Sequence, residues 1–205
     1  ESQGRMPTRA WYSQHYKGQF RVGFTLNAAI GQGATTVTAL QLALSYAALA
    51  NGGVLYEPQL VHSVETADGT IVQDLSPRVR RRINLRTEDM ALVHRGLWGV
   101  VNEEKGTAYN ERLADVDAAG KTGTAQVSHQ TVGLGADDSR VWYFNRDHAW
   151  FASYSPSKSP EIAVIVLIEH GGAGGRVAAP VALQVMRAYH KLKAERAAKK
   201  AAAAG

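Results

Sequence analysis

Apolar side chains recur at helical spacing in three parts of the chain, and the first of these is short and rich in alanine. Leu42, Tyr46 and Leu49 form one stripe of this predicted helix. Thr38 is the predicted N-cap, and the Asn-Gly-Gly sequence at residues 51–53 ends the helix. Because the helix is nearly uncharged and has no polar face, we expect it to be buried.

The second predicted helix follows a basic stretch at residues 76–85. Thr87 can cap it, and Val93, Leu97 and Val101 give it one apolar stripe. The third predicted helix lies near the C-terminus, where apolar residues recur at intervals of three or four. We expect this helix to dissolve into a tail rich in lysine and alanine.

Strand patterns occupy most of the remaining chain. A hairpin is predicted from residues 60–64 and 71–75, which flank a turn that contains Asp-Gly. Three further strands are predicted at residues 116–127, 148–154 and 161–169. The last of them contains seven consecutive apolar residues, which is typical of a strand buried on both faces.

The first 35 residues show little periodicity, contain several glycines and carry several aromatic residues. We predict that they form an extended or looped segment packed on another part of the molecule. The order of helices and strands along the whole chain indicates an α+β fold, in which helices cover an antiparallel sheet.

The amino-acid composition excludes several kinds of functional site. The chain has 205 residues, 45% hydrophobic residues and no cysteine, which excludes a disulfide scaffold and a thiolate nucleophile. The seven histidines show no pair at ligand spacing, so we predict no metal ion and no cofactor. No run of 18 apolar residues is present. Because the chain starts at Glu1 rather than at methionine, we expect it to be processed, excised or incomplete.

The formal net charge of +5 first suggests an acidic partner such as nucleic acid. Residues 191–205 carry five Lys or Arg residues and one Glu, a net of +4, which leaves +1 for the other 190 residues. A basic cluster at residues 78–86 has no interleaved aromatic residues that could stack on bases. We therefore predict no nucleic-acid partner, and we interpret residues 191–205 as a basic, alanine-rich tail.

The strongest local signal for chemistry is the sequence Lys121-Thr122-Gly123-Thr124 on a predicted strand. Alternation along a strand places both threonine side chains on one face and Lys121 on the other. Two hydroxyl groups on one face can hold a carboxylate, and glycine lets the backbone of a ligand lie against the strand. Unpaired N–H groups at the end of such a strand can form an oxyanion hole. An ordinary strand with a conformational glycine is the alternative interpretation.

This tetrapeptide resembles the Lys-Thr-Gly motif of serine β-lactamases and penicillin-binding proteins. More of the chain, roughly residues 1–190, is similar to the class B penicillin-binding proteins and in particular to their elongation type, penicillin-binding protein 2. The matching blocks occur in the order that the family has. They are residues 6–11 (MPTRAW), 30–33 (IGQG), 38–43 (TALQLA), 47–53 (AALANGG), 147–151 (DHAWF) and 169–174 (EHGGAG).

The resemblance implies that residues 1–190 are the C-terminal part of a transpeptidase domain, with an incomplete penicillin-binding protein/serine β-lactamase-like fold. It implies a peptidoglycan D,D-transpeptidase. In that reaction a serine attacks the penultimate D-Ala–D-Ala carbonyl of a stem peptide, expels D-alanine and passes the acyl group to an amine on a neighbouring stem. β-Lactam antibiotics mimic the donor and trap the serine.

The resemblance also implies roles for the residues of the motif. Lys121 would supply positive charge and hydrogen bonds to the catalytic network. The hydroxyls of Thr122 and Thr124, beside Gly123, would bind the carboxylate of the substrate or the β-lactam. The Thr124 backbone N–H would form half of the oxyanion hole, and the nucleophilic serine would supply the other half.

Two motifs of the family are not where the family has them. The chain contains no Ser-x-Asn, and its one Ser-x-x-Lys, Ser155 to Lys158, follows the Lys-Thr-Gly sequence instead of preceding it. Pro156 and Pro160 lie in and beside it, whereas a nucleophile needs its base held rigidly one helical turn away. We therefore predict that Ser155 is not catalytic, and that the nucleophile and its base lie outside this chain.

Two other functions stay open on the same fold: a penicillin-binding sensor without catalysis, and a serine β-lactamase. For the transpeptidase, the resemblance implies peptidoglycan stem peptides and β-lactams as ligands and a SEDS-type membrane glycosyltransferase as partner. It also implies a location at the periplasmic face of the bacterial inner membrane, with the anchor outside this chain.

Two glycine-containing segments each have a structural and a ligand-binding interpretation. We interpret Gly31-Gln32-Gly33 as a tight structural turn near the floor of the active site, because a phosphate-binding loop would need more glycines and a lysine. Direct contact with a ligand is the alternative interpretation of this turn. Residues 171–175 are predicted to be a flexible connection between strand and helix, with anion binding at the helix N-terminus as the alternative.

Overall fold

The computed structural model describes residues 2–127 and 140–204. The α-helices in these ranges are α1 (Arg9–His15), α2 (Val22–Ala29), α3 (Ala39–Ala50), α4 (Thr87–Asn102), α5 (Arg140–Phe144) and α6 (Gly174–Ala204), with a 3₁₀ helix at Tyr109–Glu111. The strands are β1 (Val54–Tyr56), β2 (Ser63–Glu65), β3 (Ile71–Asp74), β4 (Val79–Arg82), β5 (Ala119–Ala125), β6 (His148–Ser155) and β7 (Ile162–Ile168).

The largest sheet in the described ranges has three antiparallel strands in the order β5-β6-β7. Its two pairings run without a register shift along the strands. Two smaller antiparallel pairs, β1 with β4 and β2 with β3, each contain a register shift. The β2–β3 pair is the predicted hairpin. The predicted α+β class, an antiparallel sheet covered by helices, is confirmed.

Helix α6 covers one face of the three-stranded sheet. Phe151 of β6 and Val164 of β7 pack there against Leu183 and Met186 of α6 in a single hydrophobic core. All four side chains are buried, and each such burial contributes roughly 1.5–3 kcal/mol. Alternate residues of β6 point to the opposite face, where α3 lies against β6 and β7. The sheet is therefore held between α6 and α3.

Helix α3 begins as predicted and is less buried than predicted. Thr38 accepts a hydrogen bond from the Gln41 N–H, and the Gln41 side chain accepts one from the Thr38 N–H, so the two form a capping box. Ala48 is the one residue of α3 that is buried, and Leu40 is 43% exposed. The expectation of a buried helix is wrong, because most residues of α3 are only half-buried. Among the described residues, its main contacts are with strands β1, β6 and β7.

The prediction of an extended or looped segment over the first 35 residues is also wrong, since α1 and α2 lie there. Thr8 caps α1 by accepting a hydrogen bond from the Trp11 N–H. Tyr12 of α1 stacks on Phe24 of α2, with ring centroids 4.3 Å apart. The two helices have seven and eight residues, so neither is long enough to produce a clear 3.6-residue repeat.

The basic stretch before α4 contains a strand that the sequence pattern does not reveal. β4 pairs with β1, and all four of its residues are exposed, so no alternation of polarity marks it. The prediction that Thr87 caps α4 is wrong, because Thr87 is the first helical residue and Arg86 is the N-cap. The Arg86 guanidinium instead pairs with the Asp89 carboxylate, with an Nε–Oδ2 distance of 2.8 Å.

The apolar strand β7 is confirmed, but it is less buried than its sequence suggests. Within β7 only Val164 is buried, whereas β6 is buried along most of its length. β6 lies between two neighbouring strands and β7 has a described neighbour along one edge only. Continuous apolar sequence here reflects the contacts of β7 with α6 and α3 rather than a central place in the sheet.

The basic tail is helical where we expected the helix to dissolve. Helix α6 continues to Ala204, and the residues from 191 to 203 are exposed. Alanine, lysine, arginine and glutamate have the highest helix propensities, so this composition extends the helix beyond its last buried turn.

A buried tyrosine connects β6 to the helices on the α3 side of the sheet. The Tyr154 hydroxyl is 2.6 Å from Nδ1 of His94 in α4, and Tyr46 of α3 is close enough to raise the Tyr154 pKa electrostatically. Burial is the largest cause of the shift for both tyrosines and raises the pKa of each to about 12. The fold therefore keeps both hydroxyls protonated well above the ordinary pKa of tyrosine.

We expect an alkaline titration of the full-length protein, followed by tyrosinate absorbance, to show two tyrosines that ionise near pH 12. The difference between wild-type and Tyr154→Phe curves isolates one of them. Because the folded pKa is raised above the unfolded value of about 10, stability from these groups is complete below pH 10 and is lost as the pH rises towards 12. A difference curve centred near pH 10 would contradict the burial of Tyr154.

Candidate active-site strand

Strand β5 carries residues 121–124 and forms one edge of the three-stranded sheet. Its inner edge pairs with β6, and no strand within residues 2–127 or 140–204 pairs with its outer edge. Thr122 and Thr124 lie opposite Phe151 and Ala149, which belong to the core beneath α6. Cross-strand neighbours share a face, so both threonine side chains lie on the α6 face, as alternation predicts.

Lys121 lies on the other face of the strand, opposite Ala152. Its side chain is exposed, and Nζ donates a hydrogen bond to the carbonyl oxygen of Thr122 at 2.9 Å. A cavity of about 480 Å³ opens beside Lys121 between α4 and β5. Its lining includes an ion pair between Arg95 and Glu103, with an N–O distance of 3.0 Å. Lys121 is thus a solvent-accessible cation at the edge of a cavity.

The backbone of Thr124 faces the outer edge of β5. Its carbonyl oxygen accepts a hydrogen bond from the Gln32 side chain, with Nε2 at 2.8 Å. In an antiparallel pair the N–H and C=O of one residue point to the same side, so the Thr124 N–H also points outward. Apart from the ladder that joins β5 to β6, no backbone hydrogen bond from this N–H is found among the described residues. An outward-pointing N–H at a strand edge is the type of donor that stabilises an oxyanion.

The Thr122 hydroxyl is paired with the Thr107 hydroxyl at 2.7 Å. Thr107 lies in the turn after α4, where a side chain at Gly106 would overlap the carbonyl oxygens of Gly99 and Val100. Sequence reasoning missed Thr107 because a polar break after a helix gives no sign of its spatial neighbours. Each hydroxyl has one proton and two lone pairs. If Thr107 donates to Thr122, the Thr122 proton is therefore left for an incoming acceptor.

The glycine segment before α6 is closely packed, in contrast to the flexible connection that we expected. A Cβ atom at Gly174 would overlap the carbonyl oxygens of Gly123 and Trp150, and one at Gly175 would overlap that of Thr107. Arg146 also donates a hydrogen bond to the Gly171 carbonyl oxygen at 2.8 Å. The start of α6 therefore supports β5 from one face.

The turn predicted at Gly31-Gln32-Gly33 is confirmed. Both glycines have positive φ values, 77° and 99°, and the Gln32 N–H donates to the Asn27 carbonyl oxygen at 2.9 Å. Left-handed backbone at these two positions favours glycine. The sequence predicted a structural turn, but it did not predict that the Gln32 side chain bonds to Thr124.

Ser155 has contacts that leave it inaccessible to a substrate. It is fully buried at the end of β6, and its Oγ donates to the Asp117 carbonyl oxygen at 2.6 Å. Nε2 of His190 lies 2.8 Å from the same Oγ, whereas Lys158 is exposed. The geometry agrees with the prediction that this Ser-x-x-Lys sequence is not catalytic.

Five histidines in the described ranges have a ring nitrogen in a hydrogen bond with a nearby protein group: His15, His94, His148, His170 and His190. The His170 N–H donates to Nδ1 of His148 at 2.9 Å, and Nδ1 of His170 lies 3.1 Å from the Arg146 carbonyl oxygen. Within residues 2–127 and 140–204 no group of three His, Asp or Glu side chains is placed to hold a metal ion. No helix in those ranges combines the length and hydrophobicity that a bilayer crossing requires.

The sequence model of the penicillin binding protein transpeptidase domain matches residues 1–187. The chain belongs to this family. The peptidoglycan D,D-transpeptidase MrdA of Haemophilus influenzae is 35% identical to it over 199 residues, which cover 92% of this chain and 29% of that protein. MrdA of Escherichia coli strain K12 is 32% identical over 182 residues, 86% of this chain and 28% of that protein. The chain thus spans less than a third of these curated relatives.

Solved structures of penicillin-binding protein 2 share the fold of this transpeptidase-family chain. The Pseudomonas aeruginosa protein in complex with WCK 5153 is 36% identical, with a TM-score of 0.69, and the match covers 92% of this chain and 38% of that one. The Helicobacter pylori protein in complex with MreC is 26% identical, also with a TM-score of 0.69, over 94% of this chain and 32% of that one. The resemblance to penicillin-binding protein 2 and to part of a transpeptidase domain is confirmed.

We expect Gly174→Ala to destabilise the transpeptidase domain, because the added methyl group would overlap the Gly123 and Trp150 carbonyl oxygens. Overpacking of this kind costs about 1–3 kcal/mol, and thermal unfolding of the full-length protein measures it. Gly96→Ala in α4 is the control, since that position opens to empty space and alanine stabilises a helix by up to about 1 kcal/mol. Equal stability of wild type and Gly174→Ala would contradict the described packing.

Proposed function

We propose that the full-length protein is a peptidoglycan D,D-transpeptidase of the penicillin-binding protein 2 type, and that this chain contributes its substrate-binding strand. The observation that carries the proposal is the outward Thr124 N–H on β5, next to two threonine hydroxyls and a lysine, in a chain of the transpeptidase family. The curated relatives named above are D,D-transpeptidases. Their names favour this function over a sensor or a serine β-lactamase on the same fold.

In the proposed reaction, a serine outside this chain attacks the penultimate D-Ala carbonyl of a stem peptide and D-alanine leaves. The acyl group then passes from the serine to an amine of a neighbouring stem, which forms the cross-link and restores the serine. A β-lactam enters the same site and acylates the serine without a leaving amino acid.

The residues of β5 have distinct parts in this proposal. The Thr124 N–H donates to the oxyanion that develops on the attacked carbonyl, together with a donor from outside the chain. The hydroxyls of Thr122 and Thr124 bind the carboxylate of the substrate or the antibiotic, with Thr107 orienting the first of them. Gly123 lets the ligand backbone approach the strand, and Lys121 adds positive charge to the catalytic network.

The domain organisation and the surroundings are part of the proposal. Residues 1–190 form the C-terminal part of the transpeptidase domain, and residues 191–205 form the basic alanine-rich tail. The ligands are peptidoglycan stem peptides and β-lactam antibiotics, with no nucleic-acid partner. By analogy with the family, the domain lies at the periplasmic face of the inner membrane, and a SEDS-type membrane glycosyltransferase is its partner.

The chain of 205 residues on its own should not be acylated by penicillin, because it contains no Ser-x-x-Lys before β5 and no Ser-x-Asn. Fluorescent penicillin followed by denaturing electrophoresis measures this. The full-length protein is the positive control and should be labelled at one serine. A covalent label on the purified chain would contradict the assignment of the nucleophile to a segment outside it.

In the full-length protein, Thr124→Val should slow acylation by penicillin because the carboxylate loses a hydroxyl donor. A hydrogen bond to a charged group contributes about 1.5–3 kcal/mol. This loss corresponds to a decrease of roughly 10- to 150-fold in the second-order rate constant of acylation by penicillin. Thr124→Ser keeps the hydroxyl and should retain most of the rate. Thr87→Val, at an exposed position in the first turn of α4, is the control. Labelling kinetics of Thr124→Val equal to those of wild type would count against the role of Thr124.

A further inference from the structure

We propose that Gln32 is a positioning residue that fixes the Thr124 peptide so that its N–H points into the oxyanion site. The inference rests on the proposed function, because it gives the Gln32–Thr124 hydrogen bond a part in acylation. Gln32 acts through the backbone of β5 and has no contact with substrate in this assignment. The two residues are 92 positions apart in the sequence, so the contact joins separate parts of the domain.

Gln32 is held firmly enough to position a neighbour. Its backbone N–H is bonded to the Asn27 carbonyl oxygen at the end of α2, and glycines with positive φ flank it. A Cβ atom at Gly33 would lie 3.8 Å from the Tyr12 hydroxyl, so the turn borders the aromatic cluster formed by α1 and α2. The half-buried Gln32 side chain reaches β5 from this support.

Strand β5 needs such a support on its outer edge. Its inner edge is fixed by the ladder to β6, and no strand in the described ranges pairs with the outer edge. An edge strand without a neighbour can change the orientation of its outward peptide groups more easily than a central strand. The Gln32 amide bonds to the carbonyl oxygen of Thr124 at 2.8 Å, which fixes the residue whose N–H also points outward.

The same bond improves the electrostatics of the proposed oxyanion site. The outward carbonyl oxygens of Thr122 and Thr124 carry partial negative charge next to the place where an oxyanion forms. Lys121 Nζ donates to the first of them and Gln32 Nε2 to the second. Both acceptors are therefore occupied while the Thr124 N–H between them stays available. Donors that are fixed before the reaction stabilise developing charge without reorganisation.

The test uses three variants of the full-length protein. Gln32→Leu removes the amide, and Gln32→Glu keeps the size and shape of the side chain but loses the donor at neutral pH. Gln59→Leu is the matched control, because Gln59 also donates from Nε2 to a backbone carbonyl, that of Leu75, at 3.3 Å and outside β5. Rapid mixing with fluorescent penicillin separates the acylation rate constant from the dissociation constant of the non-covalent complex.

We expect the acylation rate constant to fall about 10- to 100-fold in both Gln32 variants, somewhat less than the loss of a direct oxyanion donor. The dissociation constant should stay within about threefold, since Gln32 has no contact with the ligand. Gln59→Leu should acylate as wild type does. The rate of Gln32→Glu relative to wild type should rise as the pH falls towards the glutamic acid pKa of about 4.3, where a protonated carboxyl donates again.

Acylation rate constants within twofold of wild type in both Gln32 variants would overturn the proposal. A higher dissociation constant with an unchanged acylation rate constant would also overturn it, because Gln32 would then support binding only. If Gln32→Leu does not fold, the nearly isosteric Gln32→Glu decides between these outcomes. A wild-type protein that penicillin does not label would instead overturn the proposed function itself, so the two failures are distinguishable.

Discussion

The register between β5 and β6 is the constraint on which the rest of the site depends. It places Thr122 and Thr124 opposite core residues of β6 and therefore turns both side chains to the α6 face. It also makes the backbone groups of these two residues point away from β6. A shift of one residue would reverse both arrangements. The proposed roles of the hydroxyls and of the Thr124 N–H follow from this one pairing.

Three other parts of the molecule keep that strand in place. The start of α6 packs on Gly123 so closely that Gly174 has no room for a side chain. The Thr107 hydroxyl holds the hydroxyl of Thr122, and the Gln32 amide holds the carbonyl group of Thr124. The strand is thus supported from one face and from its outer edge, while its ladder to β6 supports the inner edge.

Much of the fold could be predicted from local sequence. The capping box of α3, the β2–β3 hairpin and the strands β5, β6 and β7 each have a signal within their own residues. Helices α1 and α2 could not be predicted from periodicity, since each has two turns and is stabilised by the contact between Tyr12 and Phe24. Exposed β4 showed no alternation, and the burial of α3 and β7 depends on neighbours that are distant in sequence.

The candidate site likewise has some parts that local sequence predicts and other parts that it does not. The motif at 121–124 and the alternation of its side chains are local properties, so the sequence predicted both. The supports of the strand are not local: Thr107 meets Thr122 across a turn, and Gln32 meets Thr124 across the domain. A single sequence carries no signal for such pairs, since a polar residue in a loop can have many different neighbours in the fold.

A crystal structure of the full-length protein acylated by penicillin tests the central claim most directly. The account predicts that the acyl carbonyl oxygen lies about 2.7–3.1 Å from the Thr124 backbone nitrogen, with the antibiotic carboxylate on the hydroxyls of Thr122 and Thr124. An acyl carbonyl that points away from the Thr124 N–H, or a carboxylate bound elsewhere, would contradict it.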